Sequence, residues 1–336
     1  MLQKNENEIM KNWSLSDEPT VSILCPAYNH EDYIAEALDS FLMQETNFPF
    51  EIIVQDDVST DSTAKIIKTY AEKYPQIIKP IFHTENQFSK GPVYIMMPLF
   101  KNAKGKYHAT CEGDDYWIDI NKLQIQIDLM EQKPECYVSF HSAEIRLDKD
   151  QHGELYAKQA DENRIFSTSQ AILGGGGFCP SSSFVFRKEV AASLPHFFYD
   201  MPVGDYFLQI FGSLHGGLLY IDKVMSVYRR GVAESWSSSM TNIDKRVEFY
   251  HKYTKSLDEL DVYLELKYQK EIRHEKSKQD YKLAVFYLYN EMFDRFKYYM
   301  QHSYKTFNLN TMFYTIDYKL RFFPRVLLAL KRLKLK

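Results

Sequence analysis

Three short apolar runs in the first third of the chain each stop abruptly at a polar cluster, and segments of helical period lie between them. Val21–Leu24 is followed by CPAYNHED, Glu51–Val54 by QDDVSTD, and Lys106–Cys111 by EGDDYW. Ile34, Ala37, Leu38, Phe41 and Leu42 fall at i, i+3, i+4, i+7 and i+8, the spacing of one helix face. Ile66, Ile67, Tyr70, Ala71 and Tyr74 make a second such face, and Val93–Ala103 reads as a helix containing Pro98. Ile77–His83 supplies a further strand. Strands alternating with helices predict a parallel sheet covered on both faces. Ligands of such sheets bind beyond the carboxyl ends of the strands, where the polar clusters converge.

Composition narrows the partners. With 45% hydrophobic residues the chain can bury a large core, which excludes wholesale disorder. The 41 Lys and Arg against 45 Asp and Glu leave −4, so the chain is no basic nucleic-acid coat. Cys25, Cys111, Cys136 and Cys179 are scattered without CxxC spacing, which fits reduced buried thiols rather than zinc or disulfides. The opening MLQKNENEIMKNW lacks the apolar centre of a signal peptide, and no run approaches the ~18 apolar residues of a membrane span. The expectation is a cytoplasmic protein with a loose polar arm over 1–19.

The acidic clusters carry the chemistry. Glu112, Asp114 and Asp115 crowd three carboxylates into four positions past a strand. Such groups repel unless a cation neutralises them, and oxygen-only ligands favour Mg2+ or Mn2+ over zinc. The alternative is a solvated acidic turn, or acids facing a helix N-terminus. Asp56 and Asp57 precede the capping residues Ser59, Thr60 and Asp61. Either one aspartate caps and the other accepts an N–H from a nucleobase, or both are turn residues. Pro26-Ala27-Tyr28-Asn29 bends the chain and presents a ring, for packing or for stacking. Asp205, in PVGDYF before a helix with Phe207, Leu208 and Phe211 on one face, is a helix cap or a general base in the same cleft. Trp117 reads as a structural anchor.

Farther along, 147–165 is charged and loop-like. Gly174–Gly177 lacks a following GK[ST] or GxGxxG, so it reads as a turn where substrate or backbone comes close, not as a phosphate cradle. SSSFVFR, Leu218–Ile221 and Val224–Tyr228 are strand-like, and Gly204–Leu214 is a short helix. Beyond about Met240 the chain is helical and almost free of glycine. Three regions follow: an arm (1–19), an α/β domain (20–238) and a helical region (239–336). Within 317–336, Lys319, Arg321, Arg325, Lys331, Arg332, Lys334 and Lys336 stand against Asp317 alone and alternate with large apolar residues. That end is suited to an anionic membrane surface, or to packing on the body with a solvated basic face.

Four ordered blocks resemble the family 2 glycosyltransferases: VSILCPAYNHEDYIAEALDSFLMQ, EIIVQDDVSTDST, GKYHATCEGDDYWIDINKLQIQ, and SSSFVFRKEV through VGDYFLQIFGSLHGGLLYIDKVMSVYRRG. They cover about 20–238. The resemblance implies a GT-A fold, a Rossmann-like mostly parallel sheet with helices on both faces and a helical region after it. It also implies a nucleotide diphosphate sugar donor, UDP-linked, a divalent metal (Mn2+ or Mg2+), and inversion at the anomeric carbon. By position, Pro26 and Tyr28 flank the nucleobase and Asp57 accepts from it. Asp114 serves the ribose or metal side, Asp115 binds the metal that holds the diphosphate, and Asp205 is the catalytic base. Glu112 stands where an Asp is common, Ile120 where a Pro is common, and Arg230 near a His of some members. The acceptor is expected to be a glycan or lipid-linked glycan of surface polysaccharide synthesis, met at the inner face of the membrane. A nucleotidyltransferase would want a Gly/Arg/Lys-rich phosphate loop after the first strand, which CPAYNHED is not. A silent glycan-binding scaffold would tolerate loss of the carboxylates, yet all are present.

Overall fold

The computed structural model describes residues 4–13, 18–91, 93–147, 153–231, 240–309 and 311–333. Part of the expected arm, the 238/239 boundary, part of the 147–165 loop and the last three residues of the basic tail lie outside them. The chain divides into two compact units, Met1–Ser238 and Ser239–Lys336.

The first unit is built on one sheet. Its strands are β1 (Val21–Ala27), β2 (Phe50–Asp56), β3 (Ile78–Phe82), β4 (Tyr107–Thr110), β5 (Tyr116–Trp117), β6 (Val138–Arg146), β7 (Leu155–Tyr156), β8 (Arg164–Phe166), β9 (Val185–Arg187) and β10 (Leu218–Arg229). The order is β3-β2-β1-β4-β9-β6-β10-β5, with β7 beside β6 and β8 beside β10. β3, β2, β1 and β4 run parallel, as do β6 and β10, and the short antiparallel β9 joins the two sets. Parallel pairing dominates by length, as expected. Every residue of β2 is buried, which requires cover on both faces.

Helix α1 is Glu6–Met10, α2 is Ile34–Leu42, α3 is Thr63–Lys73, and α4 is Met96–Asn102. All five residues of the apolar face read in α2 are buried. Its Phe41 ring meets Trp117 at 4.7 Å. α4 starts later than Val93, which puts Pro98 in the first turn, where no intrahelical N–H is needed. Leu218–Ile221 and Val224–Tyr228 are one strand, interrupted in register at Asp222–Lys223.

The described part of the arm, residues 4–13, is docked, which corrects the expectation of a loose segment there. Asn5 and Glu8 form a reciprocal cap on α1. The Trp13 ring meets Phe50 at 5.0 Å and its Nε1 donates to Thr46 at 3.1 Å. An amphipathic turn ending in Trp has enough apolar surface to bind the sheet edge despite its polar average.

Helices α5 (Lys122–Gln132), α6 (Thr168–Gly174), α7 (Lys188–Ala192) and α8 (Asp205–Ser213) complete the first unit. The second unit consists of helices Ile243–Tyr263, Gln269–Tyr289, Phe293–Thr306, Met312–Lys319 and Pro324–Leu333. Its core gathers Leu283, Ala284, Tyr287, Leu288, Phe296, Met300, Tyr314, Leu327 and Leu328. Among the described residues no helix is long and apolar enough to cross a membrane.

Candidate active site

The parallel register fixes the site. Ala27 lies opposite Asp56 and Leu24 opposite Thr110, so the segments after β1, β2 and β4 leave the sheet side by side. Backbone bonds tie them together: Asp57 N–H donates to Ala27 O (3.0 Å) and Gly113 N–H to Pro26 O (3.0 Å). Asn29 takes a left-handed backbone (φ 53°) and its side chain accepts from Thr60 N–H at 2.9 Å. Tyr28 is exposed beside this turn.

The two aspartates at the end of β2 are engaged in different loops. Asp56 accepts the Ser59 N–H at 3.1 Å through Oδ2, while its Oδ1 is buried without a hydrogen-bond partner. Asp57 is fully buried and organises the loop beyond β3, accepting from Gln87 N–H (2.6 Å) and Phe88 N–H (3.0 Å). Capping of the next helix falls mainly to Asp61, whose Oδ1 accepts from Thr63 N–H at 2.9 Å.

Past β4 the carboxylates are crowded. Asp114 and Asp115 are buried, and Glu112 reaches solvent within the cleft. Crowding by protein, then the charges of Asp114 and Asp205, push Glu112 up to about 8. Burial, then Asp114 and Glu112, hold Asp115 well above the usual carboxylate range, although the Arg229 N–H donates to its Oδ1 at 2.9 Å. Asp114 Oδ1 is buried with no hydrogen-bond partner, and its Oδ2 lies 3.9 Å from His30 Nε2.

Asp205 comes from a stretch ninety residues later along the chain, yet its charge is felt at Glu112. It is the first residue of α8 rather than its cap, which is Gly204. Its carboxylate accepts the Tyr206 N–H at 2.7 Å, and burial still raises its pKa. A half-buried carboxylate with an elevated pKa is equipped to take a proton.

Sequence reasoning missed Arg229. Its guanidinium donates to Asp114 O at 2.5 Å and to Glu36 of α2, and lies 4.4 Å from the Tyr116 ring centroid and 5.1 Å from that of Tyr33. One residue thus clamps the acidic loop from the far end of β10. Lys122 was also missed. It is fully buried, 4.0 Å over the Trp117 ring, and donates to Gln126 at 2.7 Å. Desolvation lowers its pKa to about 7. Trp117 Nε1 donates to Ser182 O at 2.9 Å, as suits an anchor.

These donors fit a hard divalent cation. Among the described residues no group of three or more His, Cys, Asp or Glu side chains is placed to hold a metal alone. An open Asp114 oxygen beside Asp115 suits an ion of Mg2+ type, which uses one or two carboxylates and completes its shell with water and phosphate.

The family model described as "Glycosyl transferase family 2" matches residues 22–194, half of the chain. The chain belongs to glycosyltransferase family 2. Among curated relatives, an uncharacterized protein of Mycobacterium tuberculosis (strain ATCC 25618 / H37Rv) is 34% identical over 235 residues, 66% of this chain and 62% of that protein. A putative teichuronic acid biosynthesis glycosyltransferase, TuaG of Bacillus subtilis (strain 168), is 34% identical over 131 residues, 39% of this chain and 48% of its own length. The family 2 fold is shared with the crystal structure of S. aureus TarS 1-349 in complex with UDP-GlcNAc: TM-score 0.59 at 18% identity, over 85% of this chain and 81% of that one. This family 2 glycosyltransferase therefore has a GT-A fold, as its sequence blocks implied.

Proposed function

We propose that this protein is an inverting glycosyltransferase that moves a sugar from a UDP-linked donor onto a hydroxyl of a glycan or lipid-linked glycan in surface polysaccharide synthesis. The observation that carries the reading is that Glu112, crowded with Asp114 and Asp115 after β4 at the carboxyl edge of the sheet, also feels the charge of Asp205 from a distant stretch of the chain. Similarity to a teichuronic acid glycosyltransferase and to a fold that holds UDP-GlcNAc supports the substrate class. Pro26 and Tyr28 frame the nucleobase. Asp57 accepts from it with the lone pairs left over from Gln87 and Phe88. Asp114 and Asp115 hold a divalent ion, Mn2+ or Mg2+, which when bound offsets charge on the diphosphate. Asp205 takes the acceptor proton as the hydroxyl oxygen attacks the anomeric carbon and the diphosphate leaves from the opposite face. General-base help of this kind contributes roughly 10²–10⁴-fold.

The test is a panel of sugar nucleotides, scoring release of nucleoside diphosphate, with calorimetry of UDP binding with and without Mn2+. Metal is expected to strengthen binding, and Asp115→Asn to remove that gain. Equal affinity in chelator and in metal sinks the metal assignment, and no turnover across the panel sinks the reading.

The proposal places the enzyme at an anionic membrane surface. Helix Pro324–Leu333 divides its apolar residues: Leu327 and Leu328 enter the core, while Val326, Leu330 and Leu333 are exposed. Phe322 and Phe323 beside them are 64% and 63% exposed. Lys331 and Arg332 are paired with Asp317 and Glu291, so fewer cations are free than the sequence count suggests. Phe322→Ser with Phe323→Ser is expected to weaken binding to anionic vesicles about tenfold, since exposed rings supply the apolar contact. Wild-type binding that ignores vesicles defeats this part alone.

A further inference from the structure

The run Gly174–Gly177 is not absorbed by the chemistry above. Two of its glycines have reasons inside the protein. A Cβ on Gly174 would lie 2.3 Å from the Phe178 ring, and Gly175 has φ +69°, the left-handed region. Gly176 and Gly177 have neither reason. Both are exposed. A Cβ on Gly176 would find only Tyr206 Cβ, at 3.8 Å, and one on Gly177 only Tyr156 Oη, at 3.5 Å, both ordinary contacts. Glycine there costs chain entropy on folding and returns no packing inside the molecule. Bare backbone that the protein itself does not need bare leaves room for the close approach of something else.

What surrounds this backbone says what approaches. The first turn of α8 holds the glycine turn: Tyr206 Oη donates to Ile172 O (3.0 Å), and Gln209 Nε2 donates to Ala171 O (2.7 Å) and Gly175 O (3.3 Å). Asp205 directly precedes Tyr206 on that turn. On the other flank β7 pairs with β6 and delivers Tyr156, whose ring stacks on Tyr228 at 5.6 Å. Gln159 ties the chain after β7 to Phe178 O at 2.8 Å, so Tyr156 is fixed relative to the glycines. A polar backbone floor held by the helix that carries Asp205, with a phenol wall beside it, suits a pyranose ring. Its hydroxyls can bond the backbone and its carbon face can lie on the tyrosine.

We propose that the exposed Gly176–Gly177 backbone, walled by Tyr156, is the floor of the acceptor saccharide subsite, and that it sets which sugar ring can present its hydroxyl to Asp205. This rests on the glycosyltransferase reading and assigns residues to its acceptor side.

The experiment separates the two. With the sugar nucleotide that the wild type turns over, release of nucleoside diphosphate is measured without acceptor, as transfer to water, and with a panel of p-nitrophenyl pyranosides. Gly177→Val and, independently, Tyr156→Ala are expected to keep UDP affinity and transfer to water within about twofold. Each is expected to raise the KM for the best pyranoside at least tenfold. The melting temperature of Gly177→Val should be no lower than that of the wild type, which separates a lost subsite from a lost fold. Unchanged acceptor KM in both variants overturns the subsite while leaving the enzyme reading intact, as does a wild type whose turnover no pyranoside raises. A wild type that neither binds nor hydrolyses any sugar nucleotide overturns both.

Discussion

Buried carboxylates occur in both units of this molecule, and the best matched of the helical unit contrast with the crowded ones at the edge of the sheet. In the helical unit Asp280 and Asp317 are fully matched, although Asp261 Oδ1 and Glu275 Oε2 of the same unit have no hydrogen-bond partner. Asp280 accepts from Tyr250 Oη at 2.5 Å and pairs with His302 Nδ1 at 2.8 Å, while Asp317 accepts from Tyr281 Oη at 2.6 Å and pairs with Lys331 at 2.8 Å. At the edge of the sheet they are left short: Asp56 Oδ1 and Asp114 Oδ1 have no hydrogen-bond partner, and Glu112, Asp114 and Asp115 face one another. Burying a carboxylate without a partner costs several kcal/mol, so it persists only where something else selects for it. Matched carboxylates such as Asp280 and Asp317 hold a fold together, whereas open ones crowded at a strand end call for another explanation.

The contrast can be attacked from its strongest side first. Asp205→Asn keeps the shape but cannot take a proton, so turnover is expected to fall roughly 10²–10⁴-fold while UDP affinity stays near wild type. Near-normal turnover makes some other group the base. As the proposed base, the same carboxyl is expected to set the acid limb of the pH–rate profile. It works only when ionised, and burial raises its pKa, so activity should be lost with falling pH at a value above the ordinary carboxylate range. A limb at or below that range removes Asp205 from the role.

In the helical unit the effect should appear in stability. Asp317→Ala leaves Lys331 and Tyr281 unmatched and is expected to cost about 3 kcal/mol in urea unfolding. A loss too small to measure says that Asp317 is ornamental. The smallest effect is the sharpest discriminator. Asp114→Asn neutralises a crowded group whose Oδ1 has no hydrogen-bond partner and whose Oδ2 has only the distant His30, so unfolding without metal or nucleotide should change by under about 1 kcal/mol, or favour the variant. A cost matching that of Asp317→Ala erases the distinction between the two sets.

The sheet was legible because periodicity is local. Ile34, Ala37, Leu38, Phe41 and Leu42 announce a buried helix face whatever they pack against, and all five are buried. The acidic clusters were legible because an apolar strand must end at the surface. What escaped depends on partners far away in the chain. That Asp57 is taken up by the Gln87 and Phe88 N–H groups is invisible in QDDVSTD. Trp13 looked like part of a polar arm until Phe50 and Thr46 stood beside it. Arg229 had only the Tyr-Arg-Arg ending of a strand as its signal, and nothing there states that its guanidinium lies between two tyrosines.

That clamp also has a timetable. Arg229 and Asp114 are separated by 115 positions, so the acidic loop leaves the ribosome long before the residue that fixes it. At roughly 5–20 residues per second the delay is about 6–23 s. During that interval the nascent chain already carries the four parallel strands β1 to β4 and their polar loops, but not the geometry of Asp114 and Asp115. The enzyme is therefore assembled before it is armed, and the last residues of β10 decide when.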